Sequence, residues 1–246
     1  MMIDTIICGD CLEIMPQIPD KSIDMVLADL PYGVTACKWD TPLDLDALWV
    51  NWLRVCTGAI VLTGTQPFTS RLVMSKPDLF RYEWMWDKGR GTNFLLARKM
   101  PLKRHENVLV FSKNGIKYNP QMADRNDGGR WKRKRNTVRT HSDHYPDNMD
   151  YYNIPREKAF PHTVLTIPNE VNNQFKQQHY HSTQKPVALF EYLIRTYTNE
   201  GDTVLDPTAG SGTTAVACKR SDRHYICIEK EPEYCAIAEK RIAEML

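Results

Sequence analysis

Short apolar runs rich in β-branched residues punctuate the chain, and each is closed by an acid or a turn residue. Ile23-Asp24-Met25-Val26-Leu27-Ala28 stops at Asp29, Ala59-Ile60-Val61-Leu62-Thr63 at Gly64, and Asn107-Val108-Leu109-Val110-Phe111 at Ser112. Thr203-Val204-Leu205 stops at Asp206, and Tyr225-Ile226-Cys227-Ile228 at Glu229. Near-continuous apolar runs of this length suit strands covered on both faces. Residues 1–10 read as a further strand rather than a secretory leader, since they lack the basic flank and the cleavage site of one. Helical patterns lie between the strands, at 44–54, at 231–246 and most clearly at 186–198, where Val187, Phe190, Leu193, Ile194 and Tyr197 recur at helical spacing. Strand–helix alternation predicts an α/β sandwich, Rossmann-like, around a mostly parallel central sheet.

The middle of the chain breaks this pattern. Residues 113–178 are rich in Asn, Asp, Gly, Arg, His, Tyr and Pro and keep little periodicity. A stretch of that length inside a compact domain is usually functional or disordered. The expectation is a single domain over 1–246, with 113–178 inserted to carry recognition.

Composition narrows the class without deciding it. At 246 residues, with 42% hydrophobic and 25% charged residues, the chain can build one sizeable core. No apolar run approaches the ~18 residues of a spanning helix, so no membrane partner is expected. The seven cysteines are scattered and odd in number, which fits a reducing compartment and no disulfide framework. Cys8 and Cys11 form a lone CxxC without a second pair nearby, so no metal site is expected. Net charge is only +2, but Arg125, Arg130, Lys132, Arg133, Lys134, Arg135 and Arg139 face a single acid, Asp127, across 125–139. Such a run is either a solvated loop or the footprint of a phosphate-binding face.

Two motifs carry chemistry. In Asp206-Pro207-Thr208-Ala209-Gly210-Ser211-Gly212-Thr213-Thr214 a strand ends in an acid, a glycine turn follows, and a helix starts. Glycines admit a ligand close to the backbone, and a helix start offers free N–H groups. Gly210 to Ala215 also fits the dinucleotide fingerprint, with Glu229 placed as a ribose-binding carboxylate. The loop alone therefore implies an adenosine-containing cofactor, NAD or S-adenosylmethionine. Asp206 favours the second, because an acid at the strand end suits a methionine ammonium and repels a pyrophosphate. No second substrate domain is expected after the loop, which points the same way. The second motif, Asp29-Leu30-Pro31-Tyr32-Gly33, is by itself a common strand-to-turn sequence.

Together the two become specific. Asp29-Leu30-Pro31-Tyr32 resembles the D-P-P-Y motif of the amino-methyltransferases, and 206–214 resembles their cofactor loop. Their order, catalytic motif first, resembles the β class of DNA methyltransferases, the N6-adenine/N4-cytosine family of site-specific phage and bacterial enzymes. Gly9-Asp10-Cys11 resembles the stretch touching the cofactor's adenine, and 181–186 resembles the H-P-T-Q-K-P segment beside its methionine end. Residues 103–111 and 118–121 match family segments too, leaving a gap over roughly 122–160. Leu30 and Ser182 stand where the family usually has proline.

The resemblance implies a DNA methyltransferase using S-adenosylmethionine. The implied cofactor residues are Asp10, Cys11, Asp29, Thr183, Lys185, Asp206, Thr208, Ala209, Gly210, Ser211, Gly212, Thr213 and Glu229. The implied catalytic residues are Asp29, Leu30, Pro31 and Tyr32. An exocyclic amine is a poor nucleophile because its lone pair is delocalised. Acceptors aimed at its N–H bonds localise that pair and stabilise the charge that develops on nitrogen. Asp29 and the Leu30 carbonyl are the expected acceptors, with Pro31 stiffening the loop and Tyr32 stacking on the base. The target must be flipped out of the duplex, with Arg130, Lys132, Arg133, Lys134, Arg135 and Arg139 expected on phosphates. Trp131, inside that run, could fill the vacated stack. Adenine N6 is favoured because N4-cytosine members usually carry Ser at position 29; cytosine N4 is the runner-up. RNA or protein-glutamine methylation, a DNA-binding protein with a dead cofactor site, and an NAD oxidoreductase rank lower. The expected partner is double-stranded DNA, with a homodimer left open. The expected setting is restriction-modification in the cytoplasm of a bacterial or phage-infected cell.

Overall fold

The computed structural model describes residues 3–33, 41–124, 157–168 and 184–245. The chain divides into two compact units, one of residues 1–119 and 163–246 and one of residues 120–162. In the smaller unit β6 (Ala123–Asp124) pairs antiparallel with β7 (Lys158–Ala159).

The larger unit is built on one eight-stranded sheet. Its strands are β1 (Thr5–Cys8), β2 (Ile23–Ala28), β3 (Cys56–Gly64), β4 (Phe80–Thr92), β5 (Lys103–Phe111), β8 (Val164–Thr166), β9 (Thr203–Asp206) and β10 (His224–Glu229). Their order is β1-β10-β9-β2-β3-β5-β4-β8. The pairs from β1 through β3 are parallel, β3–β5 and β5–β4 are antiparallel, and β4–β8 is parallel again. The expected mostly parallel sheet is thus present, with antiparallel pairing around β5. Of the segment 113–178, β8 belongs to this sheet.

Alternation along the strands divides the core in two. Met25 and Leu27 of β2, Ala59 and Val61 of β3, and Val108 and Val110 of β5 face one layer. That layer is filled by α4 (Val187–Tyr197) and α5 (Thr213–Arg220). Val26, Ala28, Ile60, Leu62, Leu109 and Phe111 face the other, against α2 (Leu45–Val55) and α3 (Phe68–Ser75). The helices form where the apolar spacing demands them. In α2, Leu45, Leu48, Trp49, Trp52 and Val55 make one buried stripe, and the Asp44 carboxylate caps the first turn by accepting from Asp46 N and Ala47 N. Each such side chain contributes about 1.5–3 kcal/mol on burial. Two further helices, α1 (Cys11–Ile14) and α6 (Pro232–Ala243), flank the β1–β10 edge.

The sequence pattern missed β4 and α3. Strand β4 alternates cleanly at its centre, with Trp84 and Trp86 buried between exposed Glu83 and Met85. Aromatic side chains with charged neighbours carry this period-2 signal, which a search for aliphatic runs passes over. Among the described residues no helix is long and apolar enough to cross a membrane, and no cluster could hold a metal ion.

The parallel part of the sheet positions the site. Strands β1, β10, β9, β2 and β3 run parallel, so their carboxyl ends share one edge of the sheet. The loops leaving that edge begin at Gly9, Lys230, Pro207, Asp29 and Thr65. In open α/β sheets ligands bind outside the carboxyl ends of the strands.

Candidate active site

A cavity of about 320 Å³ opens at that edge, lined by Asp10, Asp29, Tyr32, Lys185, Asp206, Gly210 and Glu229 among others. This volume lies in the range of small-molecule sites.

Of the residues expected in the site, Asp10, Cys11, Asp29, Leu30, Pro31, Tyr32, Lys185, Asp206, Thr208, Ala209, Gly210, Ser211, Thr213 and Glu229 all line this one cavity. Gly212 sits just behind it as the N-cap of α5, at φ +78°. Thr183 and its neighbours His181 and Ser182 lie outside the described residues, as do Arg130, Trp131, Lys132, Arg133, Lys134, Arg135 and Arg139.

The glycine loop is held from both sides. Ala209 N donates to the Ile228 carbonyl at 2.9 Å, and Gly210 N donates to Glu229 Oε2 at 2.7 Å. Glu229 Oε1 accepts from Glu231 N at 2.8 Å. Glu229 therefore braces the glycine loop through Oε2, while Oε1 fixes the carboxylate against the start of the next turn, a role beyond the ribose contact its position suggests. At Gly210, φ is +53° and an added Cβ would meet nothing within 4 Å. At Gly212 an added Cβ would lie 2.7 Å from Ala238 Cβ of α6. One glycine thus leaves room at the cavity and the other permits helix packing. Arg241 also donates to the Ser211 carbonyl at 2.5 Å.

Asp206 is only 2% exposed. Its carboxylate accepts from Thr208 N at 3.0 Å and from the Thr214 hydroxyl. Burial pushes its pKa up to about 7, against those hydrogen bonds, and the negative Asp29 and Glu229 add to the rise. At the rim, Asp10 caps α1 by accepting from Leu12 N at 2.9 Å, and Lys230 donates to its other oxygen at 3.1 Å. These bonds hold the Asp10 carboxyl below its usual range.

Asp29 follows β2 directly and lies beside the end of β3, as the Ala28–Leu62 register requires. Its Oδ1 accepts from the Tyr32 hydroxyl at 2.8 Å and from the Thr63 hydroxyl, while its Oδ2 accepts from Lys185 Nζ at 2.7 Å. The Asp29 carbonyl accepts from Thr208 Oγ1 at 3.2 Å, which ties the two motif loops together. The Tyr32 ring packs on Phe68 with centroids 5.2 Å apart, and Lys185 Nζ lies 5.6 Å from its centroid. Burial and the neighbouring Asp29 carboxylate push the Tyr32 phenol well above its usual range. In this state Tyr32 is turned onto Asp29 by its hydroxyl.

Lys185 is 8% exposed and precedes Pro186, the N-cap of α4, so the chain enters that helix extended. On its far side Glu106 Oε2 lies 3.4 Å away, and Lys88 Nζ donates to Glu106 Oε1 at 2.8 Å. Burial works against the Lys185 ammonium, but Asp29, Tyr32 and Glu106 hold it well above the ordinary lysine value. Glu106 is likewise held below its ordinary value by Lys185 and Lys88, against the opposing effect of burial. Asp29, Lys185, Glu106 and Lys88 thus form a row of alternating charge leading inward from the cavity.

Sequence reasoning missed Thr63, Glu106 and Lys88. Thr63 lies one residue before the end of β3, and only the pairing of β3 with β2 brings it to Asp29. Glu106 and Lys88 sit on β5 and β4, and only the antiparallel pairing of those strands brings them together. The pairing of Lys185 with Asp29 crosses 156 residues of sequence.

The N6/N4 methyltransferase family model, described as DNA methylase, matches residues 23–240. The type II methyltransferase M.HinfI of Haemophilus influenzae is 28% identical, over 99% of this chain and 69% of its own. The DNA adenine methyltransferase YhdJ of Escherichia coli is also 28% identical, over 97% of this chain and 82% of its own. Among solved structures, the M1.HpyAVI–SAM complex superposes with a TM-score of 0.62 at 25% identity, covering 96% of this chain and 98% of that one. With the family model spanning most of its length, and Asp29 and the 206–214 loop meeting in one cavity, this chain belongs to the DNA methylase family.

Proposed function

We propose that this chain transfers a methyl group from S-adenosylmethionine to N6 of adenine in double-stranded DNA. The observation that carries the reading is the meeting of Asp29 with the Asp206–Gly210 loop at one cavity. The residues present fit the methyl donor. The buried Asp206 carboxyl suits an ammonium, the open side of Gly210 leaves room for a close ligand, and the Phe190 and Leu43 side chains offer apolar wall. Bound there, S-adenosylmethionine supplies an electrophilic sulfonium methyl. The named relatives, one of them an adenine methyltransferase and one a solved SAM complex, support the same assignment.

The chain's own residues prepare the amine. A carboxylate offers about four lone-pair directions. Three on Asp29 are taken by Tyr32, Thr63 and Lys185, which fixes the group and leaves one direction for an incoming N–H. That acceptor localises the amine lone pair and stabilises the positive charge developing on nitrogen. The Leu30 carbonyl is the acceptor proposed for the second N–H, a role that does not depend on the side chain. Tyr32, fixed through its hydroxyl, borders the space a flipped base would enter. The proton leaves nitrogen after the methyl has arrived, so Asp29 need not be a strong base.

Residues 113–178 are assigned to target recognition, with Arg130, Lys132, Arg133, Lys134, Arg135 and Arg139 on phosphates. Reversing charge at Arg133 and Arg135 is then expected to weaken duplex binding and flatten its salt dependence. The deciding experiment incubates the protein with labelled S-adenosylmethionine and unmethylated DNA, then digests the DNA to nucleosides. N6-methyladenine is expected. N4-methylcytosine would move the assignment to the cytosine amine, and no labelled base would end it.

A further inference from the structure

A second surface stands at the same edge of the sheet as the cavity, and the reaction above makes no use of it. Strands β4 and β5 form a hairpin whose ladder closes with Thr92 opposite Lys103, Thr92 Oγ1 donating to the Lys103 carbonyl at 2.9 Å. Residues 93–102 project beyond it and are all exposed. The register places this projection. Asn107 of β5 lies opposite Gly64, the carboxyl end of β3. Residues before Asn107 therefore run past the edge from which the Asp29 and Asp206 loops also leave. Lys103 Nζ donates to the Thr65 hydroxyl, just beyond β3, so the base of the hairpin is fastened there.

The projection is ordered and apolar at its tip. Asn93 turns the chain at φ +67°, a single helical turn covers Phe94–Leu96, and the Leu96 carbonyl accepts from Lys99 N at 2.8 Å and Met100 N at 3.0 Å. Yet Phe94 is 70% exposed and Leu95 101%. Clustered large apolar side chains held in water by an ordered turn mark a contact surface. Its charge selects the partner. Residues 90–104 carry five Lys or Arg and no Asp or Glu. Arg104 is engaged by Asp87 and Lys103 by Thr65, while Arg90, Arg98 and Lys99 are exposed. A second copy meeting it through the same patch would bring the same positive charge against it. A polyanion with apolar faces between its charges complements it.

We infer that the 93–102 turn is a duplex-DNA contact in which Phe94 and Leu95 enter the base stack beside the target while Arg98 and Lys99 hold the flanking phosphates. The inference rests on DNA being the substrate. A base that leaves the stack to reach Asp29 vacates a space, and apolar side chains wedged between base steps are a recurrent means of holding a duplex open. The hairpin brings such a wedge to the edge at which the base must enter.

Two double variants test it in the full-length chain, F94S/L95S and R98S/K99S, both on an exposed turn. Duplex affinity is read by anisotropy on labelled mixed-sequence DNA across a salt series, methyl incorporation on unmethylated genomic DNA, and cofactor affinity by titration with S-adenosylmethionine. R98S/K99S is expected to weaken duplex binding about tenfold and to reduce the slope of log affinity against log salt by about 2, as loss of two phosphate contacts requires. F94S/L95S is expected to keep the slope and to lose about tenfold or more of incorporation at saturating DNA, for want of a wedge. S-adenosylmethionine affinity should be unchanged in both. Wild-type binding, slope and incorporation in both variants would overturn the inference. So would a fall in sedimentation mass in F94S/L95S with duplex binding intact, which would give the surface to a second copy. A wild-type protein that binds duplex through this turn but methylates no base would leave the contact standing and remove the proposed reaction instead.

Discussion

Lys185 Nζ stands 2.7 Å from Asp29 Oδ2, where both residues line the cavity, and joins Asp29 to the row of alternating charge behind it. The contact joins the loop after β2 to the residue that opens α4. It leaves Asp29 with one oxygen bound to an ammonium and the other shared by two hydroxyls. A carboxylate so fixed cannot rotate freely. This suits an acceptor that must meet a single N–H in one geometry.

Asp29→Ala is therefore expected to abolish methyl transfer, by more than about 100-fold in kcat, while S-adenosylmethionine still binds. The binding half follows from the geometry, because Asp29 meets the 206–214 loop through its backbone carbonyl, which alanine keeps, and Glu229, Ile228 and Arg241 brace the loop as well. Titration of the cofactor alongside single-turnover methylation measures both halves. Activity near wild type in this variant would remove Asp29 from the mechanism.

Glu106 is expected to act only through Lys185. Glu106→Gln keeps the shape and an acceptor for Lys88 but removes the charge facing Lys185 Nζ, 3.4 Å away. The expected outcome is a fall of about tenfold in kcat with KM for DNA and cofactor unchanged, since Glu106 does not line the cavity. Lys185→Met should cost more, and the double variant little beyond Lys185→Met alone, because the two residues belong to one chain of contacts. Fully additive losses would show that Glu106 serves the fold rather than the site.

Asp206 makes a prediction about pH. Its pKa of about 7 in the folded protein exceeds the ordinary carboxyl value because burial disfavours the charge. Folded and unfolded states then bind protons differently between roughly pH 4 and 7, and the native state binds more. Stability from this group is greatest at low pH and declines as pH rises through that window. The total is on the order of 4 kcal/mol at 1.36 kcal/mol per unit. A cationic ligand reverses the balance by favouring the ionised form. Cofactor affinity is expected to tighten by up to about tenfold for each unit that the pH rises toward 7 and to level off above it. In Asp206→Asn that rising limb should vanish. A wild-type affinity flat between pH 5 and 7 would separate Asp206 from the ligand's charge.

Much of this was legible beforehand, for identifiable reasons. Strand β2 was readable because Met25 to Ala28 is buried on both faces, and burial on both faces writes a continuous apolar run. The 206–214 loop was readable because glycine leaves a local signature wherever the chain needs positive φ, as Gly210 and Gly212 do. Strand β4 was not readable as an aliphatic run, because its buried side is carried by tryptophans set among charged residues. Thr63 and Glu106 belong to the site through strand order and register, which local pattern does not encode. Tyr32 was expected to offer a stacking face. Its hydroxyl bond to Asp29 and its packing on Phe68 depend on side-chain conformations settled only by the assembled pocket.

The two glycines of the loop should separate folding from binding. At Gly212 an alanine Cβ would lie 2.7 Å from Ala238 Cβ and 3.1 Å from Ala238 Cα, in a left-handed conformation at φ +78°. Neither the α6 backbone nor a methyl group can swing away, so α5 and α6 would have to separate. Strain of about 1–2 kcal/mol from the left-handed backbone adds to about 1–3 kcal/mol of overpacking. Gly212→Ala is expected to lower the unfolding midpoint clearly. At Gly210 the added Cβ meets nothing within 4 Å, so only the backbone term at φ +53° remains. Gly210→Ala should therefore lose only that backbone term, about 1–2 kcal/mol, and melt above Gly212→Ala. Gly210 also lines the cavity, where a side chain would take space from a ligand seated against the loop. Gly210→Val, larger and β-branched, is expected to fold less well than Gly210→Ala but to lose cofactor affinity out of proportion to that. Thermal melts with and without S-adenosylmethionine distinguish the two positions. Gly212→Ala should lower both melts together, whereas the Gly210 variants should lose mainly the upward shift that the ligand produces. A full ligand-induced shift in Gly210→Val would mean that the cofactor sits elsewhere in the cavity.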